Sequence, residues 1–481
     1  MLRAMRRKLL VIALIWLACA KLTNPQTSLA SVVGDYEGTL GPLHLRLHVQ
    51  RDSTGKLTGT MDSVEQGAIG IPCEQLVLSG TVFSFAVPAV HGTYKGELSA
   101  DGRTITGSWS QGAPTPVVFQ RRVPATVASL SVQLAKIDSM TAAAYTKNPV
   151  GSVTVGVVSG NQLIWTKSYG DADMEKHLPA DKETIYRIGS ITKMFTAVML
   201  EQFVDAGKVH LSDPVEKYLP EIKTVQGRFT DAPPITLIQL ATHTSGLGRE
   251  PDNMAKYVQG PVADWEKMLI SALPHLHYIF EPGTRFSYSN IGYAALGAAL
   301  ARAGGESYLQ YLPEHIFKPL GMKNTALQLN PQSWPQLSNG YQVDGGKINT
   351  ETPRREQAGR GYKVPNGAIY TTVTDLARFA SFLMGNGPDI VLKTRSLGQY
   401  LDQIEVPSNS RLSEGYGLGF VVMRRDQYTA FGHGGEVPGY EAALYMNRDA
   451  DVGFIVLTNA SGPGSVDPED LALPSLDLLS K

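Results

Sequence analysis

The sequence predicts an α+β fold, an antiparallel sheet with layers of helix, preceded by a small all-β domain. One observation is that alternating strand patterns recur over residues 31–122 without a long helical pattern among them. The other is that residues 125–481 carry two strand patterns early and three late, with helical patterns between them. At roughly 350 residues this second region is large for one domain, but within the range seen in enzymes.

Residues 1–30 have the character of a secretory signal peptide. The positively charged stretch Arg3–Lys8 precedes an apolar run from Leu9 to Ala20, which is shorter than the roughly 20 residues that span a bilayer. We therefore expect export, with the protein periplasmic or secreted. Two alternatives stay open, a retained membrane anchor and a lipoprotein attached through Cys19, and only these would bring the protein into contact with a membrane.

Residues 31–122 are expected to form an all-β accessory domain. Apolar and polar residues alternate in Leu43–Val49 and again in Phe83–Val87, as in strands with one solvated face. We see no catalytic pattern in this region. His44 and His48 fall on the polar face, where we expect them to be solvated rather than to bind a metal ion.

Residues 125–481 are expected to form one domain whose sheet combines strands from both ends of the region. The predicted helices are Leu130–Thr146, Ile191–Ala206, Ile235–Ala241 and Ile291–Ala303. The predicted strands are Gly151–Val158, Leu163–Tyr169, Tyr428–Phe431, Glu441–Met446 and Val452–Leu457. Two early and three late strands predict an antiparallel sheet that both chain ends complete, with the helices packed on it as a separate layer.

Ser190 and Lys193 are the first candidate catalytic pair. A helix is predicted from Ser190 to Gly207, which places the two side chains on one face, a turn apart. A serine hydroxyl is a weak nucleophile unless a base takes its proton, and a lysine can do so once burial lowers its pKa. The helix N-terminus would also favour negative charge that develops near Ser190. The spacing alone is weak evidence, because Ser53 and Lys56 share it.

Two later motifs supply further candidates. In Tyr288-Ser289-Asn290, Tyr288 could transfer a proton, and Asn290 could bind substrate or hold Lys193. In His433-Gly434-Gly435 the two glycines would let a substrate approach the backbone closely.

The order of these three motifs resembles that of serine β-lactamases and penicillin-binding proteins, and the chain is most similar to their class C-like branch of esterases and peptidases. The resemblance covers roughly residues 125–460. Supporting segments are Leu211–Val215, Tyr218–Pro220, Leu240–Leu247, Asn366–Tyr370 and Tyr416–Phe420. The family implies a β-lactamase/transpeptidase-like fold for this region.

The resemblance also implies a role for each site residue. Ser190 would form the acyl-enzyme, Lys193 would accept its proton alone or with Tyr288, and Tyr288 would pass a proton to the leaving group. The oxyanion would lie between the backbone N–H groups of Ser190 and Glu436, the residue after His433-Gly434-Gly435. Asn290 would position substrate or Lys193.

The third motif departs from the Lys-Thr-Gly or Lys-Ser-Gly common in β-lactamases and peptidases of this group. His433 is mostly neutral at pH 7 at its ordinary pKa, and Gly434 offers no hydroxyl. We therefore expect a serine hydrolase of small esters, amides or peptides. The alternatives are a β-lactamase or D-Ala-D-Ala carboxypeptidase, and a non-catalytic penicillin-binding or scaffold protein.

Other classes of function find little support. A net charge of −1 gives no basis for binding nucleic acid. His275 and His277 have no acidic or cysteine partners at useful spacing, so we expect no metal site and no cofactor. A Gly-x-Ser-x-Gly motif does not occur in the sequence, and we expect His243 to make local hydrogen bonds rather than to join a catalytic triad.

Overall fold

The structure, a computed structural model, describes residues 31–481 except 53, 64–65, 67, 230, 389, 393–405 and 409–412, and leaves the side chain of residue 69 undescribed. The expected signal segment with Cys19, and Ser53 of the second Ser-x-x-Lys spacing, lie outside the described residues. The chain divides into two compact units, with the boundary between Val123 and Pro124.

The first unit is a closed antiparallel barrel in which successive strands pair and the last pairs with the first. Its strands are β1 (Gly34–Leu40), β2 (Leu43–Arg51), β3 (Leu57–Ser63), β4 (Ala68–Ser79), β5 (Val82–Val87), β6 (Gly92–Leu98), β7 (Thr104–Ser110) and β8 (Pro114–Arg121). Aromatic rings fill much of the interior, and Phe85, Tyr94 and Phe119 lie 5.0–6.4 Å apart between ring centroids. The predicted all-β character of this region is confirmed.

His48 is paired with carboxylates, so the expectation that it is solvated was wrong. From β2, its Nδ1 lies 2.7 Å from Asp35 Oδ1 on β1, and its Nε2 lies 3.1 Å from Asp62 Oδ2 on β3. Burial alone would lower the pKa of His48, but the two carboxylates raise it to about 9. The alternation of β2 predicted the outward direction of His48 but could not show which residues the neighbouring strands place beside it.

Replacing His48 should destabilise the barrel in a pH-dependent way. A folded pKa of about 9 against an ordinary value of 6.5 means that this stabilisation is complete below pH 6.5 and is lost as the pH rises through 9. We expect His48→Ala to lower the free energy of unfolding by about 1.5–3 kcal/mol at pH 6.5, the range for hydrogen bonds to charged groups, and by less at pH 10. Urea unfolding of both proteins at the two pH values measures this. An equal loss at both would contradict it.

The second unit contains the sheet that was predicted to combine both ends of the region. Its strands are β9 (Ser152–Ser159), β10 (Gln162–Asp173), β11 (Leu178–Pro179), β12 (Tyr186–Arg187), β13 (Tyr341–Asp344), β14 (Lys347–Asn349), β15 (Tyr370–Thr371), β16 (Val406–Pro407), β17 (Glu414–Tyr416), β18 (Val421–Arg424), β19 (Thr429–Val437), β20 (Tyr440–Asn447), β21 (Val452–Thr458) and β22 (Ala460–Ser461). The main sheet is antiparallel, with the order β11–β10–β9–β21–β20–β19–β18–β17–β16. The early strand β9 thus pairs with the late strand β21, as predicted. Strands β12 and β15 form a small separate sheet, and β14, β13 and β22 another.

Helices cover both faces of this sheet. They are α1 (Ser131–Lys147), α2 (Thr192–Asp205), α3 (Leu237–Ala241), α4 (Trp265–Ala272), α5 (Asn290–Gly304), α6 (Tyr308–Leu312), α7 (Glu351–Glu356), α8 (Val364–Gly367), α9 (Val373–Ser381) and α10 (Pro468–Leu479). Residues of α1 and α10 form one core with alternate residues of β9 and β21, such as Val157 and Phe454. Residues of α2, α5 and α9 form the larger core on the other face, with Val158 and Ile455.

The second unit therefore has the predicted α+β architecture. In the described part of the chain, no helix combines the length and the apolar character needed to cross a bilayer.

Candidate active site

The predicted nucleophile, Ser190, lies just before the start of helix α2. Residues Gly189–Ile191 form a 3₁₀ turn that leads into α2 at Thr192, so the predicted α-helical start at Ser190 is two residues early. Gly189 has a φ of +48°, a left-handed conformation that glycine adopts without steric cost. Ser190 follows it, half-buried, at the positive end of the helix dipole.

Strand β19 packs directly against this turn. A Cβ on Gly189 would lie 2.6 Å from the backbone N of Glu436, and one on Gly435 would lie 3.1 Å from the backbone N of Ser190. Only glycines permit this approach, which brings the amides of Ser190 and Glu436 side by side. Strand β18 pairs with β19 only as far as Gly432, opposite its first residue, Val421. The part of β19 beyond Gly432 lies against Ser190.

Lys193 lies in the first turn of α2 and is completely buried. Its Nζ is 3.0 Å from Ser190 Oγ, 2.9 Å from Asn290 Oδ1 and 3.1 Å from the carbonyl oxygen of Asn366. All three are uncharged oxygen atoms. Burial lowers the pKa of Lys193 well below its ordinary value, although the nearby carboxylate of Glu250 acts in the opposite direction.

The side chain of Asn290, the first residue of α5, links Lys193 to Glu250. Its Nδ2 donates to Glu250 Oε1 at 2.8 Å. Because a carboxylate only accepts hydrogen bonds, the amide nitrogen must face Glu250 and the amide oxygen must face Lys193. Glu250 also accepts from Tyr362 and, at 2.8 Å, from Lys363 Nζ. Burial alone would raise the pKa of Glu250, but the charge of Lys363 and these hydrogen bonds lower it.

The ring of Tyr288 lies over the lysine, with Lys193 Nζ 4.7 Å from the ring centroid. The guanidinium of Arg249 lies 5.1 Å from the same centroid. Burial raises the pKa of the Tyr288 phenol, while a side-chain hydrogen bond with Ser190 opposes that shift. Tyr288 therefore stays protonated at neutral pH and can donate a proton or a hydrogen bond beside Ser190.

His243 fixes the segment that carries Tyr288. Its Nδ1 accepts from the backbone N–H of Ser289 at 3.1 Å, and its carbonyl accepts from that of Ser287 at 2.8 Å. Its ring lies 4.2 Å from the ring of Tyr288. Burial, and secondarily the charge of Lys193, lower the pKa of His243 well below its ordinary value. His243 thus has a structural role in hydrogen bonding, but these partners lie in the segment that carries Tyr288 and not, as the sequence had led us to expect, in its own loop.

His433 on β19 is an uncharged part of the site. Its Nδ1 donates to the carbonyl of Gly434, which leaves Nε2 to accept from the Tyr416 hydroxyl at 2.9 Å. Burial and the charge of Lys193 lower the pKa of His433 to about 3. The imidazole is therefore neutral at pH 7, as expected from its ordinary pKa.

Two cavities open on either side of Ser190. The larger, of about 500 Å³, has His433, Gly434 and the residues after them on its wall. The smaller, of about 290 Å³, is lined by Asn290, Lys363 and other residues of the Glu250 network. Ser190, Arg249 and Glu436 border both. Among the described residues, no group of three or more histidine, cysteine or carboxylate side chains is arranged to hold a metal ion.

Most of the second unit matches a family of known proteins. A family model described as Beta-lactamase matches residues 137–476, which is well over half of the chain. The chain belongs to the beta-lactamase family. The match includes the three motifs and the strands β9 and β21 that complete the main sheet.

Curated relatives of this beta-lactamase-family protein come from distant organisms. Beta-lactamase-like protein 2 of Dictyostelium discoideum is 28% identical over 356 residues, which are 71% of this chain and 61% of that protein. The D-alanyl-D-alanine-carboxypeptidase/endopeptidase AmpH of Escherichia coli K12 is 32% identical over 228 residues, 46% of this chain and 54% of AmpH. The chain thus spans only somewhat more than half the length of these relatives.

Solved structures of beta-lactamase-like proteins share the fold. The octameric penicillin-binding protein homologue from Pyrococcus abyssi superposes with a TM-score of 0.60 and 26% identity, covering 72% of this chain and 77% of that one. A mutant class C beta-lactamase gives a TM-score of 0.60 at 19% identity, covering 73% and 97%, a likeness of fold alone. The predicted fold class and family are confirmed.

Around Ser190, the structure brings together the residues that the sequence singled out, and it adds others. The predicted residues Ser190, Lys193, Tyr288, Asn290, His433, Gly435 and Glu436 all border the two cavities or contact a residue that does. Sequence reasoning missed Glu250, the Asn366 carbonyl and Tyr416. The segments containing Asn366 and Tyr416 had been noted for their resemblance to the family, but no local pattern indicated Glu250.

Replacing Glu250 should change the pH dependence of the nucleophile. Glu250→Gln removes a negative charge that raises the pKa of Lys193, so Lys193 should lose its proton at a lower pH. It also replaces a carboxylate that only accepts by an amide that can donate as well, so Asn290 is no longer held in one orientation. We expect the rate of Ser190 labelling by a fluorophosphonate to fall about tenfold or more, because a small displacement of a catalytic base lowers the reaction rate strongly. The rising limb of the plot of labelling rate against pH should move to lower pH by about 0.5–1 unit.

Glu266→Gln is the matched control, because Glu266 forms an ion pair with Arg302 and lines neither cavity. It should leave both the labelling rate and its pH profile unchanged. A Glu250→Gln profile that keeps the wild-type rising limb would contradict the assigned role of Glu250.

Proposed function

We propose that the protein is a serine hydrolase that cleaves small esters or amides through an acyl-enzyme on Ser190. The observation that carries the proposal is the environment of Lys193, a buried amine 3.0 Å from the serine hydroxyl whose other two contacts are to uncharged oxygens. Because the chain spans only part of its relatives' length, this activity is inferred from its own site.

The hydrogen-bond geometry supports Lys193 as the base. A neutral amine has two N–H groups and one lone pair. Asn290 Oδ1 and the Asn366 carbonyl can only accept, so they take the two N–H groups. The lone pair then points towards Ser190 Oγ and can accept its proton as the hydroxyl attacks a carbonyl carbon. Burial, which disfavours the ammonium form, makes this protonation state available near neutral pH.

The remaining steps use groups already next to Ser190. The adjacent amides of Ser190 and Glu436 are suited to stabilise the oxyanion of the tetrahedral intermediate. Tyr288, protonated at neutral pH, would donate a proton to the leaving alkoxide or amine and recover it through Lys193. Water would then attack the acyl-enzyme carbonyl, with the same lysine as base, and release the acid and free Ser190.

Ester or amide hydrolysis is favoured over β-lactam hydrolysis by the third motif. Neutral His433 offers no fixed positive charge for a carboxylate, and Gly434 has no hydroxyl. The similarity to AmpH, named a D-alanyl-D-alanine-carboxypeptidase/endopeptidase, makes peptides with D-amino acids the second candidate substrates. We also propose that the protein is exported, on the basis of the signal-like residues 1–30.

The test is a panel of p-nitrophenyl esters, a chromogenic cephalosporin and D-alanyl-D-alanine peptides. We expect ester turnover, and Ser190→Ala should lower kcat/KM by at least about 1,000-fold, as loss of a catalytic nucleophile does in other serine hydrolases. The control is Ser271→Ala, because Ser271 lies on α4 and its hydroxyl bonds only within that helix. That variant should retain wild-type activity.

The same panel separates the alternatives. Turnover that survives in Ser190→Ala would refute the proposed nucleophile. Efficient cephalosporin hydrolysis would favour a β-lactamase, and release of D-alanine would favour a carboxypeptidase. Covalent labelling by a fluorescent penicillin without turnover of any substrate would favour a penicillin-binding protein that is not an enzyme.

A further inference from the structure

The wall of the larger cavity beside Ser190 is rich in carboxylates. Ser190 and His433 line it together with five acidic residues, Glu414, Glu436, Glu441, Asp467 and Glu469. Gly435 faces Ser190, whereas Gly434 faces Glu469 on the other face of the sheet. Because β18 pairs with β19 only as far as Gly432, the cavity extends past this edge of the sheet to both faces. Because the cavity opens onto the nucleophile, an acyl or leaving group long enough to extend past this edge would meet these carboxylates. The charge of the wall therefore bears on which substrates the proposed hydrolase accepts.

Glu469, in the first turn of α10, reaches the third motif itself. A Cβ on Gly434 would lie 2.1 Å from Glu469 Oε1, so a side chain at position 434 would occupy the place that this carboxylate takes. The same oxygen accepts from the Tyr445 hydroxyl at 2.9 Å, which fixes its position. The glycine in the middle of the motif is thus the residue that admits a carboxylate next to His433.

Neighbouring groups increase the negative potential at this point. Glu436 on β19 and Glu441 on β20 are directly paired across the two strands, an arrangement that like charges destabilise. Burial, and then the neighbouring carboxylates Glu436 and Asp467, raise the pKa of Glu441 to about 7. Burial also raises the pKa of Glu469. A cation bound in the cavity would relieve this repulsion.

Among the described residues that line the larger cavity, cationic groups are few. The third motif supplies His433, which is neutral at pH 7. Arg249 is the sole arginine or lysine among the described residues that line the larger cavity. It also borders the smaller cavity and lies over Tyr288.

We propose that the larger cavity selects substrates that carry a positive charge, such as a primary or quaternary ammonium group, and that Glu469 is the residue that determines this selection. The inference rests on the proposed hydrolase function, since it names the substrate class of the same site. It also gives a reason for glycine at position 434, because a larger residue there would displace the Glu469 carboxylate.

The test compares ester pairs that differ only in charge. On the acyl side, the p-nitrophenyl ester of 4-(trimethylammonio)butanoic acid is compared with that of its neutral isostere, 5,5-dimethylhexanoic acid. On the leaving-group side, acetylthiocholine is compared with 3,3-dimethylbutyl thioacetate. We expect the cationic member of at least one pair to have a kcat/KM about tenfold higher at pH 8, the size of effect that one partly shielded attraction between an ammonium and a carboxylate would give.

The preference should depend on pH and on Glu469. The quaternary ammonium keeps its charge at every pH, so a preference that grows between pH 6 and pH 8 would report ionisation of the wall, where the pKa of Glu441 is about 7. Glu469→Gln should reduce the ratio of cationic to neutral kcat/KM about fivefold or more. Asp470→Asn is the matched control: Asp470 is the next, exposed acid on α10 and lines neither cavity, so the ratio should not change.

The outcomes separate this inference from the function on which it rests. Turnover that requires Ser190 but shows no cationic preference in either pair, or a preference that Glu469→Gln leaves intact, would overturn the inference and leave the hydrolase standing. Turnover that is unaffected by Ser190→Ala, or no turnover of any ester, would overturn both.

Discussion

The site depends on burying one lysine without letting a carboxylate touch it. Lys193 is completely buried, yet its contacts are a hydroxyl, an amide oxygen and a backbone carbonyl. Direct contact with Glu250 would stabilise the ammonium form and leave no lone pair for Ser190. Asn290 separates the two charges and still transmits an orientation from Glu250 to the lysine. The residues that bond to Glu250 therefore affect the nucleophile indirectly, through Asn290 and Lys193.

A second constraint is the contact between the start of α2 and strand β19. Gly189 and Gly435 leave no side chains between them, so the backbone of a helix start lies directly on the backbone of a strand. This contact joins the larger helical core to the main sheet at the point where the amides of Ser190 and Glu436 meet. The same strand carries His433 and, through Gly434, admits the carboxylate of Glu469. One short segment thus shapes the floor of the site and the charge of its wall.

Much of this arrangement could be predicted from the sequence, because motifs and alternation are local. The strand pattern and the return of strands near the C-terminus predicted the sheet, and the order of the Ser190, Tyr288 and His433 motifs predicted which segments meet. Glu250 and Glu469 could not be found, because each acts on a residue far away in sequence and no spacing marks either of them. His48 shows the same limit, since alternation gives the direction of a side chain but not its neighbours. The roles of the site residues stay predictions until they are tested.

The pairing of β9 with β21 has a consequence for how the protein is made. These strands are adjacent in the sheet although almost the whole catalytic unit separates them along the chain. During synthesis β9 emerges from the ribosome long before its partner, and β19, which completes the surroundings of Ser190, also emerges late. A nascent chain therefore cannot assemble the nucleophile until nearly all of it has been translated. Contacts between segments so distant in sequence also form slowly, so the second unit should remain unfolded and inactive for much of its synthesis.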